Sequence, residues 1–149
     1  MKKNSNIKIL LIGKRSIVAS NIYLELKKVF LIKQIKFKEF FEKDFSNFDI
    51  IINCSINKKY LNNKYNEKID HDLKIVKKLN NNQSYIFLST IKVYKESRKK
   101  ISEKAKLQPS THYGVNKLTT EKKIQNCISP NKLLILRISN MVCFEIEKK

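Results

Sequence analysis

The sequence predicts a doubly wound α/β fold with a parallel sheet, on three observations. Short apolar runs recur along the chain at 7–12 (IKILLI), 49–54 (DIIINC), 85–89 (YIFLS) and 133–138 (LLILRI), too short for buried helices and rich in β-branched residues. The segments between them carry apolar residues at helical spacing. The first run stops at Gly13 and leads straight into such a segment, which makes a strand, a tight turn and a helix. Strands that alternate with helices imply right-handed crossovers and hence parallel pairing.

Taken in order, residues 7–12 read as a fully buried strand. Residues 16–30 read as a helix through Ile17, Ile22, Leu26 and Val29, with Ser16 placed to cap it. A weaker strand, mixed with lysines, is expected at 31–37, then a polar, aromatic segment at 38–48. Residues 49–54 form a central strand. The Asn- and Lys-rich stretch 55–67 reads as a loop running into a helix over 69–79, built on Leu73, Val76 and Leu79 and ended by Asn80, Asn81 and Asn82. A strand at 85–89 ends in Thr90, a charged loop covers 95–110, and a helix carries 112–126 before the last strand at 133–138. One domain spanning 1–149 accounts for the length.

Composition narrows the function classes. The formal charge of +19 would suit a polyanionic partner, yet only three of the 32 basic residues are Arg (Arg15, Arg98 and Arg137), and phosphate and base recognition favour the Arg fork. Nucleic acid is therefore not the expected partner. Cys54, Cys127 and Cys143 are far apart and show no metal-ligand spacing, so no metal is expected. The apolar run near the amino terminus is short and broken by Lys8, and no stretch has the length of a membrane span. A cytoplasmic location is the expectation.

Ligands of such sheets bind beyond the carboxyl ends of the strands, where Gly13, Ser55, Thr90 and the segment entering Tyr113 fall. In HYGVNKLTTE, residues 112–121, Tyr113 and Lys117 share one helix face. An ammonium beside a phenol favours the phenolate, so this pair is suited to proton transfer near neutral pH. His112 reads as a helix-start residue and Cys54 as a small core hydrophobe, while Glu121, one turn beyond Lys117, reads as a solvated carboxylate or as a partner that would draw Lys117 from its catalytic role. His71, between Asp70 and Asp72, lacks the company of a metal ligand.

Four segments in this order, IKILLIGKRSIVASNI, FDIIINCS, YIFLSTIKVY and HYGVNKLTTEKKI, resemble the extended short-chain dehydrogenase/reductases, the NAD(P)-dependent epimerase/dehydratase enzymes of nucleotide sugars. The likeness covers essentially the whole chain but only the family's amino-terminal, Rossmann-like cofactor domain. GKR at the first turn and Thr90 lean slightly toward the dehydrorhamnose-reductase branch. The resemblance implies a catalytic Thr90, Tyr113 and Lys117. Tyr113 would be the general acid/base on a sugar oxygen while a nicotinamide gives or takes hydride, Thr90 would hydrogen-bond that oxygen, and Lys117 would tune Tyr113 and hold the nicotinamide ribose.

The resemblance also implies an NAD or NADP site at Gly13, Lys14, Arg15, Ser16 and Ala19, with Lys117. Of the three glycines in the family's turn only Gly13 is kept. Ser16 adds a side chain where a phosphate would sit, and Ala19 adds a methyl at the helix-packing position. Lys14 and Arg15 would attract phosphate. After the second strand no convincing acid is seen for a ribose 2′-hydroxyl, and Lys36 and Lys38 would suit the 2′-phosphate of NADP. Family members continue into a region that binds the nucleotide sugar, which FEIEKK is too short to supply. The expectation is thus a truncated or degraded copy, or one part of a split protein, completed by a homodimer or by a partner chain. The alternative is a non-catalytic nucleotide-binding or protein-interaction module of the same fold.

Overall fold

Residues 6–97 and 100–139 are described by the computed structural model. Five parallel strands lie in the order β2-β1-β3-β4-β5. They are β1 Lys8–Ile12, β2 Leu31–Ile35, β3 Ile50–Asn53, β4 Ser84–Thr90 and β5 Leu133–Ile138. The chain steps from β1 to β2 on one side and then returns past β1 to β3 on the other. Strand order therefore reverses at β1 and β3, and a crevice opens beyond their carboxyl ends.

Alternate residues of each strand feed opposite faces of the sheet. Leu10 and Ile12 of β1 join Ile35, Ile51, Tyr85 and Phe87 in one buried cluster, with Phe40, Leu73 and Ile124 brought by α2 (Glu39–Glu42), α4 (His71–Val76) and α5 (His112–Gln125). Ile9, Leu11 and Ile52 join Ala19 of α1 (Ile17–Leu26) on the other side. Continuous apolar runs in β1 and β3 follow from this two-sided burial.

Several helices are shorter than the spacing predicts. After Leu26 the chain turns, with the Val29 and Phe30 amides donating to the Leu26 carbonyl, because Leu31 must come back beside Ile7 to start β2. The helix expected over 69–79 is a 3-10 turn, Glu67–Ile69, then α4, restarted by Asp70 whose side chain accepts from the Leu73 amide. The segment 38–48 holds α2, and 55–67 holds α3 (Lys58–Asn62), capped by Asn57. The loop at 95–110 is tied back by a bridge between Tyr94 and Leu107.

Candidate active site

The carboxyl ends of β3, β4 and β5, with the starts of α1 and α5, enclose a cleft of about 370 Å³ lined by Ser16, Asn53, Ser55, Thr90, Tyr113, Lys117 and Ile138 among others. Gly13 shapes its β1 side. Its φ of 114° is a conformation that suits glycine, and a Cβ there would meet the Cys54 carbonyl carbon and the Ser55 amide nitrogen at 2.9 Å. The Gly13 and Lys14 amides donate to the Ile35 carbonyl, which seats the turn between β2 and β3.

Ser16 caps α1: its hydroxyl accepts from the Ala19 amide at 3.4 Å, and its own amide donates to the Gly13 carbonyl. Of the orphan amides that begin any helix, those of Ile17 and Val18 remain for an anion. Lys14 and Arg15 stand exposed beside them. The turn therefore fits a phosphate group with the Ser16 side chain folded back onto its own helix. Ala19 is fully buried against Ile9, Leu11 and Ile52, so its part is helix–sheet packing. Glu39, just beyond β2, is an acid the sequence reading passed over. Its carboxylate accepts from the Lys36 amide, a bond that lowers its pKa, with Lys43, Lys36 and Lys14 adding to the effect. Lys36 spends its amide on that contact, and Lys38 precedes α2.

The opposite wall carries the other candidates. Thr90 ends β4 and is buried; its Oγ1 accepts from the Lys92 amide at 3.3 Å, which leaves the hydroxyl proton to donate into the cleft. Tyr113, half-buried, lies one turn before Lys117 on α5. Gly114 lets the start of α5 pack against the backbone at Lys92, since a Cβ there would run into the Lys92 carbonyl oxygen. Its neighbour Thr111 caps α5 by accepting from the Gly114 amide, and His112 is the exposed first residue of the helix, as expected.

Lys117 is the most constrained of the set. Its ammonium donates to the Leu88 carbonyl at 2.8 Å and to Asp72 Oδ2 at 3.4 Å, over the Phe87 ring at 4.4 Å. Asp72 Oδ1 in turn accepts from the Tyr85 hydroxyl at 2.6 Å and the Asn53 amide at 2.9 Å. Asn53 Oδ1 accepts from the Ser55 hydroxyl and amide, and Ser55 reaches His71 Nδ1 at 3.0 Å. His71 stacks on Phe37, and burial lowers its pKa. Behind this chain Asp70 accepts from Thr120 and Tyr65, with burial raising its pKa.

Glu121 departs from the sequence expectation. It is 2% exposed and pairs with Arg137 of β5, with Ser89 donating to the same carboxylate at 2.5 Å. Two hydrogen bonds from Arg137, one to each oxygen, satisfy a carboxylate that α5 carries against the sheet. Cys54 is half-buried, and burial pushes its thiol up to about 12. Cys143 lies outside the described residues. Among the described residues no cluster could hold a metal ion, and no helix is long and apolar enough to cross a membrane.

A doubly wound parallel sheet whose strand order reverses at β1 and β3, with helices on both faces, defines a Rossmann-like fold. Residues 3–145 match the model of the NAD dependent epimerase/dehydratase family, and the chain belongs to that family. Among curated proteins none matches. Solved structures share the fold. A dTDP-4-dehydrorhamnose reductase from Clostridium acetobutylicum aligns at 21% identity and a TM-score of 0.60, over 88% of this chain and 52% of that one. The Bacillus anthracis dTDP-4-dehydrorhamnose reductase, solved with NADP, aligns at 17% and 0.69 over 91% and 54%. The UDP-glucuronic acid 4-epimerase of Bacillus cereus, solved with NAD, aligns at 18% and 0.63 over 89% and 56%. The chain thus spans about half the length of these relatives.

Proposed function

We propose that this chain is the cofactor-binding and proton-transferring part of an NAD(P)-dependent enzyme that epimerises, dehydrates or reduces a nucleotide sugar. The observation that carries the reading is the cleft, into which Ser16, Thr90, and Tyr113 with Lys117 converge from three separate segments. A nicotinamide dinucleotide would supply the hydride exchange. Gly13, Lys14 and Arg15 with the Ile17 and Val18 amides would hold its phosphates, and Lys117 its ribose. Tyr113 then passes a proton to or from the sugar oxygen, and Thr90 donates its free hydroxyl hydrogen to that oxygen. The reading rests on the family membership and on the NAD and NADP found with the solved relatives.

The test is turnover with a nucleotide sugar and either cofactor. Tyr113→Phe abolishes it while leaving cofactor binding largely intact; unchanged turnover would remove Tyr113 from the mechanism. One observation favours a second reading, a nucleotide-binding or interaction module without turnover. Lys117 is bound to a buried carboxylate as well as to a backbone carbonyl. That reading predicts cofactor binding with no hydride exchange.

A further inference from the structure

The site reading gives Lys117 two tasks, both of which need its positive charge at the cleft. The fold surrounds that charge. Lys117 is 6% exposed and Asp72 is 5% exposed, so the pair lies in a medium where water screens little. Two of the three ammonium hydrogens are committed, to Asp72 and to the Leu88 carbonyl, leaving one for a ligand. Asp72 is itself fixed by Tyr85 from β4 and Asn53 from β3 and so cannot swing away from the ammonium without losing both. Other ionisable groups near this pair are the Cys54 thiol at the end of β3, Tyr60 of α3 with its ring centroid 5.9 Å from the ammonium, Tyr85 of β4 bonded to Asp72, and Tyr113 and Glu121 one turn either side of Lys117 on its own helix. Asp72 is the carboxylate that forms an ion pair with the Lys117 ammonium, whereas Glu121 is paired with Arg137.

We propose that Asp72 is a positioning residue for the cleft, an internal counter-ion that tethers and neutralises Lys117 and so sets how much of its charge Tyr113 and a bound ribose experience. The carboxylate touches neither substrate nor cofactor in this account and acts through the ammonium alone. The proposal rests on the site reading for its functional meaning, while its physical content, a tethered ammonium, is measurable without any ligand.

The experiment is lysine side-chain NMR on the full chain, with the Lys117 ammonium assigned by its loss in Lys117→Arg. A buried ammonium held by a carboxylate and a carbonyl exchanges its hydrogens slowly with water and gives a resolved ¹⁵N–¹H signal near neutral pH, where exposed lysines do not. In Asp72→Asn, which keeps the shape and removes the charge, exchange at Lys117 quickens by roughly tenfold or more, as expected when the carboxylate partner of the ammonium becomes a neutral, weaker acceptor. NADPH then binds several-fold more tightly to the variant, because the released charge faces the cleft. Absence of a slowly exchanging Lys117 signal in the wild type overturns the proposal, and this arm needs no variant of Asp72. Exchange unchanged within about twofold in folded Asp72→Asn overturns it as well. If neither protein binds NADPH, the proposed function fails, while the exchange measurement still decides the role of Asp72.

Discussion

The two walls of the cleft are held by different physics. On the β1–α1 side the positions are set by backbone: a left-handed Gly13, a capped helix end and a buried methyl at Ala19, with Lys14 and Arg15 free in solvent. On the α4–β4–α5 side they are set by buried charge. Asp72 with Lys117, Glu121 with Arg137, and Asp70 with Thr120 and Tyr65 form three adjoining polar knots beneath Thr90 and Tyr113. A wall of the first kind tolerates change in its side chains and little in its backbone. A wall of the second kind is costly to interrupt, because removing one partner leaves the other charge buried and unpaired.

The largest expected effect is therefore on the charged wall. Lys117→Met strands the Asp72 carboxylate and should cost about 3–5 kcal/mol of folding free energy, measured by urea unfolding. A loss under about 1 kcal/mol would show that this wall is not held by its ion pair. Gly13→Ala comes next. Strain at positive φ and the clash with the Cys54–Ser55 backbone should cost about 1–3 kcal/mol, and a neutral result would mean that β1 and β3 are less closely joined than described. Ser16→Ala removes only a cap and should cost about 1 kcal/mol. Tyr113→Phe should stay within about 0.5 kcal/mol, since its phenol faces the cleft.

The smallest effect is a dependence on pH. The folded state holds His71 with its pKa below the ordinary 6.5 because burial disfavours the imidazolium. Its contribution to stability is complete above that ordinary value and is lost as pH falls through the lower folded one. His71→Gln should thus flatten the decline in urea midpoint below pH 6.5. Asp70 runs the other way: its folded pKa is raised, so its contribution is present below the ordinary carboxylate value and lost as pH climbs through the folded one. If the His71→Gln midpoint fell with acid as steeply as in the wild type, burial of His71 would have no part in the decline.

Much of the fold was legible because the strands are apolar runs bounded by punctuation. The runs at 7–12, 49–54, 85–89 and 133–138 all became central or edge strands within a residue or two of their expected limits. The segment 112–126 was equally clear, from its start at His112 to its end at Gln125, although its cap, Thr111, was not singled out. What the sequence hid was pairing at a distance. Nothing in local spacing joins Asp72 to Lys117 or Glu121 to Arg137, and Glu121 reads as solvated until β5 brings its partner. Gly114 carries no turn signal either, as its need is set by the Lys92 carbonyl above it. Glu39 was missed because it follows β2 by four residues and returns to the strand end only through α2.

The claim that joins both walls is that the cleft between them receives a nicotinamide dinucleotide. Its most direct test is the melting temperature of the chain with millimolar NADH and NADPH, since a ligand that binds only the folded state stabilises by mass action. The account predicts a rise of a few degrees with at least one of the two, reduced when Lys14 and Arg15 are both replaced by Ala. A melting temperature unmoved by either cofactor would contradict it.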